Sequence, residues 1–286
     1  MKSLMIQGTS SGSGKTTLVT ALCRIFSDKG FSVAPFKSQN MSNYAYKTKD
    51  FEISRAQAIQ AIAARCDITP DLNPILLKPL GNYYSNVYLN GKMFKKMHAT
   101  EYYQKFVQTR GLNIATKSLK SLQKNYDLII LEGAGSPTEI NLKKSDIANM
   151  KMAEIDNSSV LLITDIDRGG SFASIVGTMS LLDKRHQKLI KGFVINKFRG
   201  DINILKPGFK KIKEITKRPV LGTIPMIDFD LPEEDSLGGK AKNVTWNKKN
   251  LDKIESEIDK LSKLVNSNLN IKEIEKMISW YLNQYW

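Results

Sequence analysis

The stretch Gly8-Thr9-Ser10-Ser11-Gly12-Ser13-Gly14-Lys15-Thr16-Thr17 combines glycines, small hydroxyls and one lysine directly after a short apolar run. Such a composition cradles phosphate, because glycines let the backbone fold so tightly that successive N–H groups point at phosphate oxygens. A helical pattern follows, and its N-terminus adds the positive end of the helix dipole. In this arrangement Lys15 reaches the β- and γ-phosphates and Thr16 ligates Mg²⁺. Five residues, not four, lie between Gly8 and Gly14, one more than the standard spacing. The plain alternative is a Gly/Ser-rich turn that happens to precede a helix. Strand, loop, Gly-Lys-Thr-Thr and helix in this order favour nucleotide binding.

A phosphate loop needs an acidic partner for its Mg²⁺ at the end of another core strand. The run Asp127-Leu-Ile-Ile-Leu-Glu132-Gly133-Ala-Gly135 supplies one, with Glu132 beside a glycine turn. Ligands of open α/β sheets sit at the carboxyl ends of the strands, so Glu132 faces the loop. Alone, it reads equally as a polar residue that ends a strand.

These residues require a parallel sheet to hold them. Short apolar runs alternate with helical patterns, the signature of a mostly parallel sheet flanked by helices, an α/β fold. The expected strands are Ser3–Gln7, Ser32–Phe36, Asp127–Leu131, Val160–Thr164, Gly192–Asn196 and Pro219–Ile224. Several are apolar throughout, as strands covered on both faces should be. The expected helices are Lys15–Asp28, Glu52–Arg65, Glu101–Lys124 and Ser171–Leu182. Val87–Phe94, with Asn90-Gly91 in its middle, reads as an inserted hairpin.

With 286 residues, 41% of them hydrophobic and 25% charged, the chain has the balance of a globular protein. Lys and Arg number 43 against 28 Asp and Glu, a net +15, which points to anionic ligands. No apolar run approaches the ~20 residues of a bilayer span. The apolar stretch Leu4-Met5-Ile6 is far shorter than a signal-peptide core, so the expected location is the cytoplasm. Cys23 and Cys66, the only cysteines, make neither a disulfide framework nor a zinc site.

Composition changes after Gly238-Gly239, which divides the chain into a body over 1–238 and a helical tail over 239–286. Leu251, Ile254, Ile258, Leu261 and Val265 share one helical face, and Ile271, Ile274, Ile278, Tyr281 and Tyr285 another. The two helices are expected to join around Asn266–Asn270. The tail holds nine Lys against six Asp and Glu, so +12 of the charge belongs to the body.

The body closely resembles cobyric acid synthase, the glutamine-dependent amidase of cobalamin synthesis, in its synthetase half. The shared stretches are Gly8–Thr17, Ala34-Pro-Phe-Lys37-Ser-Gln39-Asn40-Met41, Glu52-Ile-Ser-Arg55-Ala-Gln57-Ala and Asn73-Pro-Ile-Leu-Leu-Lys78-Pro. They continue with Glu132-Gly-Ala-Gly-Ser-Pro-Thr-Glu139-Ile-Asn141-Leu, Asp146-Ile-Ala-Asn149-Met and Asp165-Ile-Asp167-Arg168-Gly-Gly. The last are Gly192-Phe-Val-Ile-Asn196-Lys-Phe-Arg199-Gly-Asp201 and Leu231-Pro-Glu-Glu-Asp-Ser-Leu237.

That half is similar to dethiobiotin synthetase, whose phosphate loop has the same five-residue insert. The resemblance implies that ATP phosphorylates a substrate carboxylate and that an amine then attacks the acyl phosphate. The substrate it implies is adenosylcobyrinic acid a,c-diamide, amidated on arms b, d, e and g. A +12 body suits both anionic partners.

Residue roles follow from the same resemblance. Lys15 neutralises the transferring phosphate, and Thr16, Asp50 and Glu132 are the candidate Mg²⁺ ligands. Lys37 stabilises charge between γ-phosphate and attacking carboxylate. Asn196 and Pro225 read adenine, and Gln39, Asn40, Asn141 and Arg168 hold the corrinoid side chains. The chain departs from the family at Lys37-Ser38-Gln39, where the family has Lys-Pro-Gln. It departs again at Asp50-Phe51-Glu52, one residue shorter than Asp-Gly-Gly-Glu, which bears on Asp50.

A glutaminase needs a cysteine on a Gly-rich elbow with a His–Glu pair. Cys23 and Cys66 lack flanking glycines, and His98 and His186, the only histidines, lie in unrelated polar surroundings. The expectation is that nitrogen comes from ammonia or a separate glutaminase, with dimerisation left open. The tail helices fit either a docking surface for such a partner or a cap packed on the sheet; amphipathic terminal helices usually bury their own face. Two other readings compete: amidation of a different polycarboxylate, and a partitioning-type ATPase on DNA or membrane. The second usually carries an extra lysine early in the loop, where this chain has Thr9, Ser10 and Ser11. Neither nucleic acid nor membrane is therefore expected as a partner.

Overall fold

A computed structural model describes residues 2–232 and 244–279. The expected boundary at Gly238-Gly239, the end of the Leu231–Leu237 stretch, and Tyr281 and Tyr285 lie outside the described residues.

The apolar runs form one six-stranded sheet in the order β12-β11-β10-β1-β9-β2. Its members are β1 (Lys2–Gly8), β2 (Val33–Phe36), β9 (Leu128–Glu132), β10 (Ser159–Asp165), β11 (Ile190–Phe198) and β12 (Val220–Pro225). Every pairing in it is parallel. β9 and β10 are buried at every position, which explains why their sequences are apolar throughout and do not alternate.

Between β2 and β9 the chain builds a second layer. β3 (Gln39–Met41), β6 (Ile75–Gly81), β7 (Tyr84–Leu89) and β8 (Lys92–His98) form a four-stranded sheet in the order β3-β6-β7-β8. The expected hairpin is its β7–β8 pair. Ile75, Leu77, Val87 and Met97 pack from it onto Tyr102, Phe106 and Val107. These last belong to a helical run over 99–125, made of α3 (Ala99–Glu101), a wide-wound π segment (Tyr102–Gly111) and α4 (Leu112–Asn125).

The expected helix Glu52–Arg65 is shorter. Glu52–Ser54 is a strand, β5, antiparallel to β4 (Ala45–Lys47), and α2 spans Arg55–Ala64. Two interactions hold Glu52 extended: its N–H donates to the Gly91 carbonyl at 2.9 Å, and its carboxylate pairs with Lys78. The remaining helices of the body are α5 (Met150–Asp156), α6 (Ser171–Leu181), α7 (Lys184–Leu189) and α8 (Lys206–Thr216). Both cysteines are free thiols.

The tail helices α9 (Lys248–Asn268) and α10 (Ile271–Ser279) pack back on the body. Ile254, Ile258, Leu261, Val265, Ile274 and Ile278 enter the same core as Leu18, Leu22, Ile25 and Phe26 of α1 (Lys15–Asp28). Arg24 of α1, 2% exposed, pairs with Glu255 and, at 3.1 Å, with Asp259. Gly222 of β12 permits the closest approach, since a Cβ there would lie 2.2 Å from the Asn268 carbonyl oxygen. Among the described residues no helix is long and apolar enough to cross a membrane.

Candidate active site

β1 ends at Gly8 and α1 begins at Lys15, so the loop between them turns at the carboxyl edge of the sheet. Two of its glycines take backbone angles that side chains avoid, Gly12 at φ +70° and Gly14 at +99°. At Gly14 space is also closed, because a Cβ would lie 2.0 Å from Asn196 Nδ2. Asn196, near the end of β11, uses that nitrogen to donate to the Ser13 carbonyl at 2.9 Å. Lys15 lies across the loop mouth, its Nζ donating to the carbonyls of Ser10 and Gly135, each at 3.0 Å.

Strand register supplies the next contact. β2 and β9 run parallel with Phe36 opposite Leu131, so Lys37, just past the end of β2, and Glu132, the last residue of β9, are the next residues along. Their side chains meet at 2.7 Å, Lys37 Nζ to Glu132 Oε1, with 6% and 1% of each side chain exposed. Thr16 Oγ1, from the first turn of α1, donates to the same oxygen at 2.8 Å. Gln60 of α2 donates Nε2 to the other oxygen, Oε2, at 2.6 Å. One buried carboxylate therefore collects three donors from three elements. All three groups donate, and the two carboxylate oxygens offer lone pairs enough to accept them.

The glycine turn after Glu132 is clamped from behind. Asn149 donates Nδ2 to the Ala134 carbonyl at 2.6 Å, and its Oδ1 lies where a Cβ on Gly133 would have to go, 2.3 Å away. Asp146 accepts the N–H groups of Ala148 and Asn149. Burial pushes the Asp146 carboxyl up from its usual range, and those N–H groups oppose the rise.

At the neighbouring rim, Lys197 adopts φ +61° and bridges the Gly12 carbonyl and Asp165 Oδ2, both at 2.8 Å. Burial is the largest single influence and raises the Asp165 carboxyl, but the hydrogen bonds from Lys197 and the Asp167 N–H, together with the charges of Lys197 and Arg168, outweigh it and the net shift is downward. Arg168 stands over this pair, 75% exposed, with Nε 3.8 Å from Asp165 Oδ2. Pro225 closes β12 opposite Phe198 of β11, on the same edge as Asn196.

The structure thus joins Lys15, Thr16, Lys37 and Glu132 into one site, with Gly8, Gly14 and Asn196 shaping the loop. Gln39 and Asn40 lie in β3, one residue beyond Lys37: Gln39 Oε1 accepts from Tyr102 at 2.7 Å, and Asn40 is buried. Asn141 lies exposed on a short 3₁₀ turn, Ile140–Ser145. Asp50 sits in the exposed turn between β4 and β5, its N–H donating to Thr48 Oγ1 at 3.1 Å. Among the described residues neither of these two makes a hydrogen bond or ion pair to the Glu132 cluster. Sequence reasoning missed Gln60 and Lys197. Lys197 follows Asn196 immediately, yet only the folded loop reveals its contact with Gly12.

The donors offered to a cation are the Thr16 hydroxyl and the Glu132 carboxylate, 2.8 Å apart beside a phosphate loop. Two hard oxygens beside a phosphate loop fit Mg²⁺ better than a softer metal. Among the described residues no cluster of three or more His, Cys, Asp or Glu forms a fuller metal cage.

In sequence the chain is similar to known proteins over most of its length. A probable cobyric acid synthase of Methanococcus vannielii is 50% identical over 267 residues, 93% of this chain and 54% of that protein. One from Thermococcus onnurineus is 54% identical over 240 residues, covering 82% of this chain and 49% of the relative. The chain spans about half the length of these curated relatives. Among solved structures, the MinD cell division protein of Aquifex aeolicus aligns with TM-score 0.43 at 13% identity, covering 79% of this chain and 83% of that one. The sequence profile of the CobQ/CobB/MinD/ParA nucleotide-binding domain matches residues 4–237, and the chain belongs to that family.

Proposed function

We propose that this chain carries the ATP-dependent step of a corrinoid amidation, phosphorylating a carboxylate that an amine then displaces. The observation that carries the proposal is the buried node at Glu132, where Thr16 and Lys37 converge on one oxygen beside the phosphate loop. The half-length match to cobyric acid synthases supports the same substrate class.

The loop N–H groups and the dipole of α1 bind the triphosphate, and Lys15 balances its charge. Asn196 and Pro225, at the ends of adjacent strands, flank the adenine. Thr16 and Glu132 would hold Mg²⁺, with Asp50 as the third candidate ligand, and the ion would supply charge neutralisation for the transferring phosphoryl group. Lys37 stands at the strand end between that group and the incoming carboxylate, where its ammonium stabilises the negative charge shared by both. A carboxylate oxygen bonds to the γ-phosphorus as the bond to ADP breaks. Ammonia nitrogen then bonds to the acyl carbon, phosphate leaves, and the nitrogen loses a proton. Gln39, Asn40, Asn141 and Arg168 hold the other carboxylate and amide arms. The +12 charge of residues 1–238 attracts both polyanions.

On this proposal the substrate is adenosylcobyrinic acid a,c-diamide, amidated at b, d, e and g, with nitrogen from ammonia or a separate glutaminase. The test is ATP turnover with Mg²⁺, that corrinoid, and ammonium or glutamine, with products resolved by mass. Amidated corrinoid with ammonium is the expected result. ATP turnover indifferent to the corrinoid, with no amidated product from either nitrogen source, would refute it.

A further inference from the structure

α2 is an alanine-rich helix, with Ala56, Ala58, Ala61, Ala63 and Ala64 all buried. Within it, Gln57 and Gln60 are both 0% exposed. Burying two primary amides costs desolvation that an aliphatic residue of similar size avoids. Their hydrogen bonds form one directed series. Gln60 Nε2 donates to Glu132 Oε2 at 2.6 Å, Gln57 Nε2 donates to Gln60 Oε1 at 3.3 Å, and Asn40 Nδ2 donates to Gln57 Oε1 at 3.3 Å.

The sense of the series is dictated at one end. Glu132 Oε2 accepts, so Gln60 presents its NH₂ to it. Its carbonyl then points the other way and takes the NH₂ of Gln57, whose carbonyl in turn takes the NH₂ of Asn40. Reversing any one amide sets donor against donor or carbonyl against carboxylate. Asn40 is anchored independently, by Nδ2 to Ser54 Oγ at 2.6 Å and by Oδ1 to the Met41 N–H at 3.1 Å. The far end of the series is therefore β3, the strand that follows Lys37.

We propose that Gln60 is a positioning residue for Glu132. It holds Oε2 toward α2 so that Oε1 faces Thr16 and Lys37, and Gln57 locks the Gln60 amide in the required sense. Gln60 touches neither nucleotide nor metal; it acts through the carboxylate. The inference rests on the proposal that Glu132 ligates Mg²⁺.

The test uses the full chain and a fluorescent ATP analogue, with binding measured without metal and across a Mg²⁺ titration. Partners in the second layer around a metal ligand typically alter metal affinity by about 10–100-fold when removed. Gln60→Met, close in shape but without the amide, should raise the half-saturating Mg²⁺ by that factor while metal-free analogue binding is unchanged. Gln57→Met should move it in the same direction by less. A merely structural role predicts weaker binding with and without metal alike, and overturns the inference. So does a folded Gln60→Met whose half-saturating Mg²⁺ stays within about twofold of the parent, well short of that range. Should Gln60→Met fail to fold, Gln57→Met decides by the same criterion. If the unaltered chain shows no Mg²⁺-linked nucleotide binding, the metal role of Glu132 fails and this inference with it. A linked parent and an unlinked variant effect overturns the positioning role alone.

Discussion

The buried pair of Lys37 and Glu132 makes a prediction that needs no substrate. With 6% and 1% of their side chains exposed, these charges are nearly out of water. Removing one partner of such a pair costs about 3–5 kcal/mol, because the other charge is left uncompensated. In Lys37→Met the carboxylate keeps its hydrogen bonds from Thr16 and Gln60, which places the loss at the lower end, about 3 kcal/mol. In Glu132→Gln the three donors converge on a group that supplies one acceptor oxygen and an NH₂, so a donor faces a donor and the loss is similar, about 3 kcal/mol. The double variant removes both charges and leaves a neutral site. Its loss should fall short of the sum of the single losses by about 2–3 kcal/mol, the upper part of the range for groups in direct contact. Urea denaturation of the parent, both single variants and the double variant, all without nucleotide, measures this coupling. In melting curves each single variant should drop by roughly 6 °C or more at this chain length. Single losses that add to within about 0.5 kcal/mol in the double variant would refute the argument, since independent sites behave that way.

Gly14→Ala demands φ +99° of a residue with a Cβ that lies 2.0 Å from Asn196 Nδ2; the expected outcome is lost nucleotide binding with a stability loss of about 1–3 kcal/mol. Binding of a labelled ATP analogue at parental affinity would contradict it. Ile258→Ala, at a fully buried position of α9, should cost about 2–5 kcal/mol in urea denaturation, whereas Lys260→Ala on the exposed side should cost almost nothing. Equal effects would remove the tail from the core. The Asp165 carboxyl sits below its usual value, so its contribution to stability is present at neutral pH and fades as pH falls through the folded value, below 3.8. Asp165→Asn should therefore destabilise the protein at pH 7 and converge with the parent in strong acid; a constant difference across that range would disprove the linkage to Lys197.

The main sheet was legible because its strands announce themselves. β9 and β10 are covered on both faces, so burial makes them apolar at every position, and the six expected strands all fall within or beside the observed ones. β3, β4 and β5 each span three residues and carry no pattern to read. β6 escaped for another reason: only its first half is buried, and Pro79 near its exposed end reads as a strand breaker. α8 begins Lys-Pro-Gly, which reads as a turn, and Ile212 is its only fully buried residue. Glu52 has good local helix propensity, and two tertiary partners, Gly91 and Lys78, override it.

Legibility of the site divides along the same physical line. The phosphate loop is a local device whose glycines are required by its own backbone angles, so ten consecutive residues suffice to recognise it. Lys37 and Glu132 lie 95 residues apart in sequence. Glu132 is still legible, because parallel strands deliver their carboxyl ends to one edge and it ends a strand, whereas Lys37 enters through the family resemblance. Gln60 offers no such rule. It lies mid-helix, and an amide there has the pattern of a solvent-facing residue; its burial comes from the packing of α2 on α1 and β2. Lys197 is similar, since its left-handed backbone and its bond to Gly12 exist only once β11 lies beside the loop. Residues that touch the ligand answer to chemistry that a short motif records. Residues that hold those in place answer to the fold, and the fold places their partners at distances that no local pattern encodes.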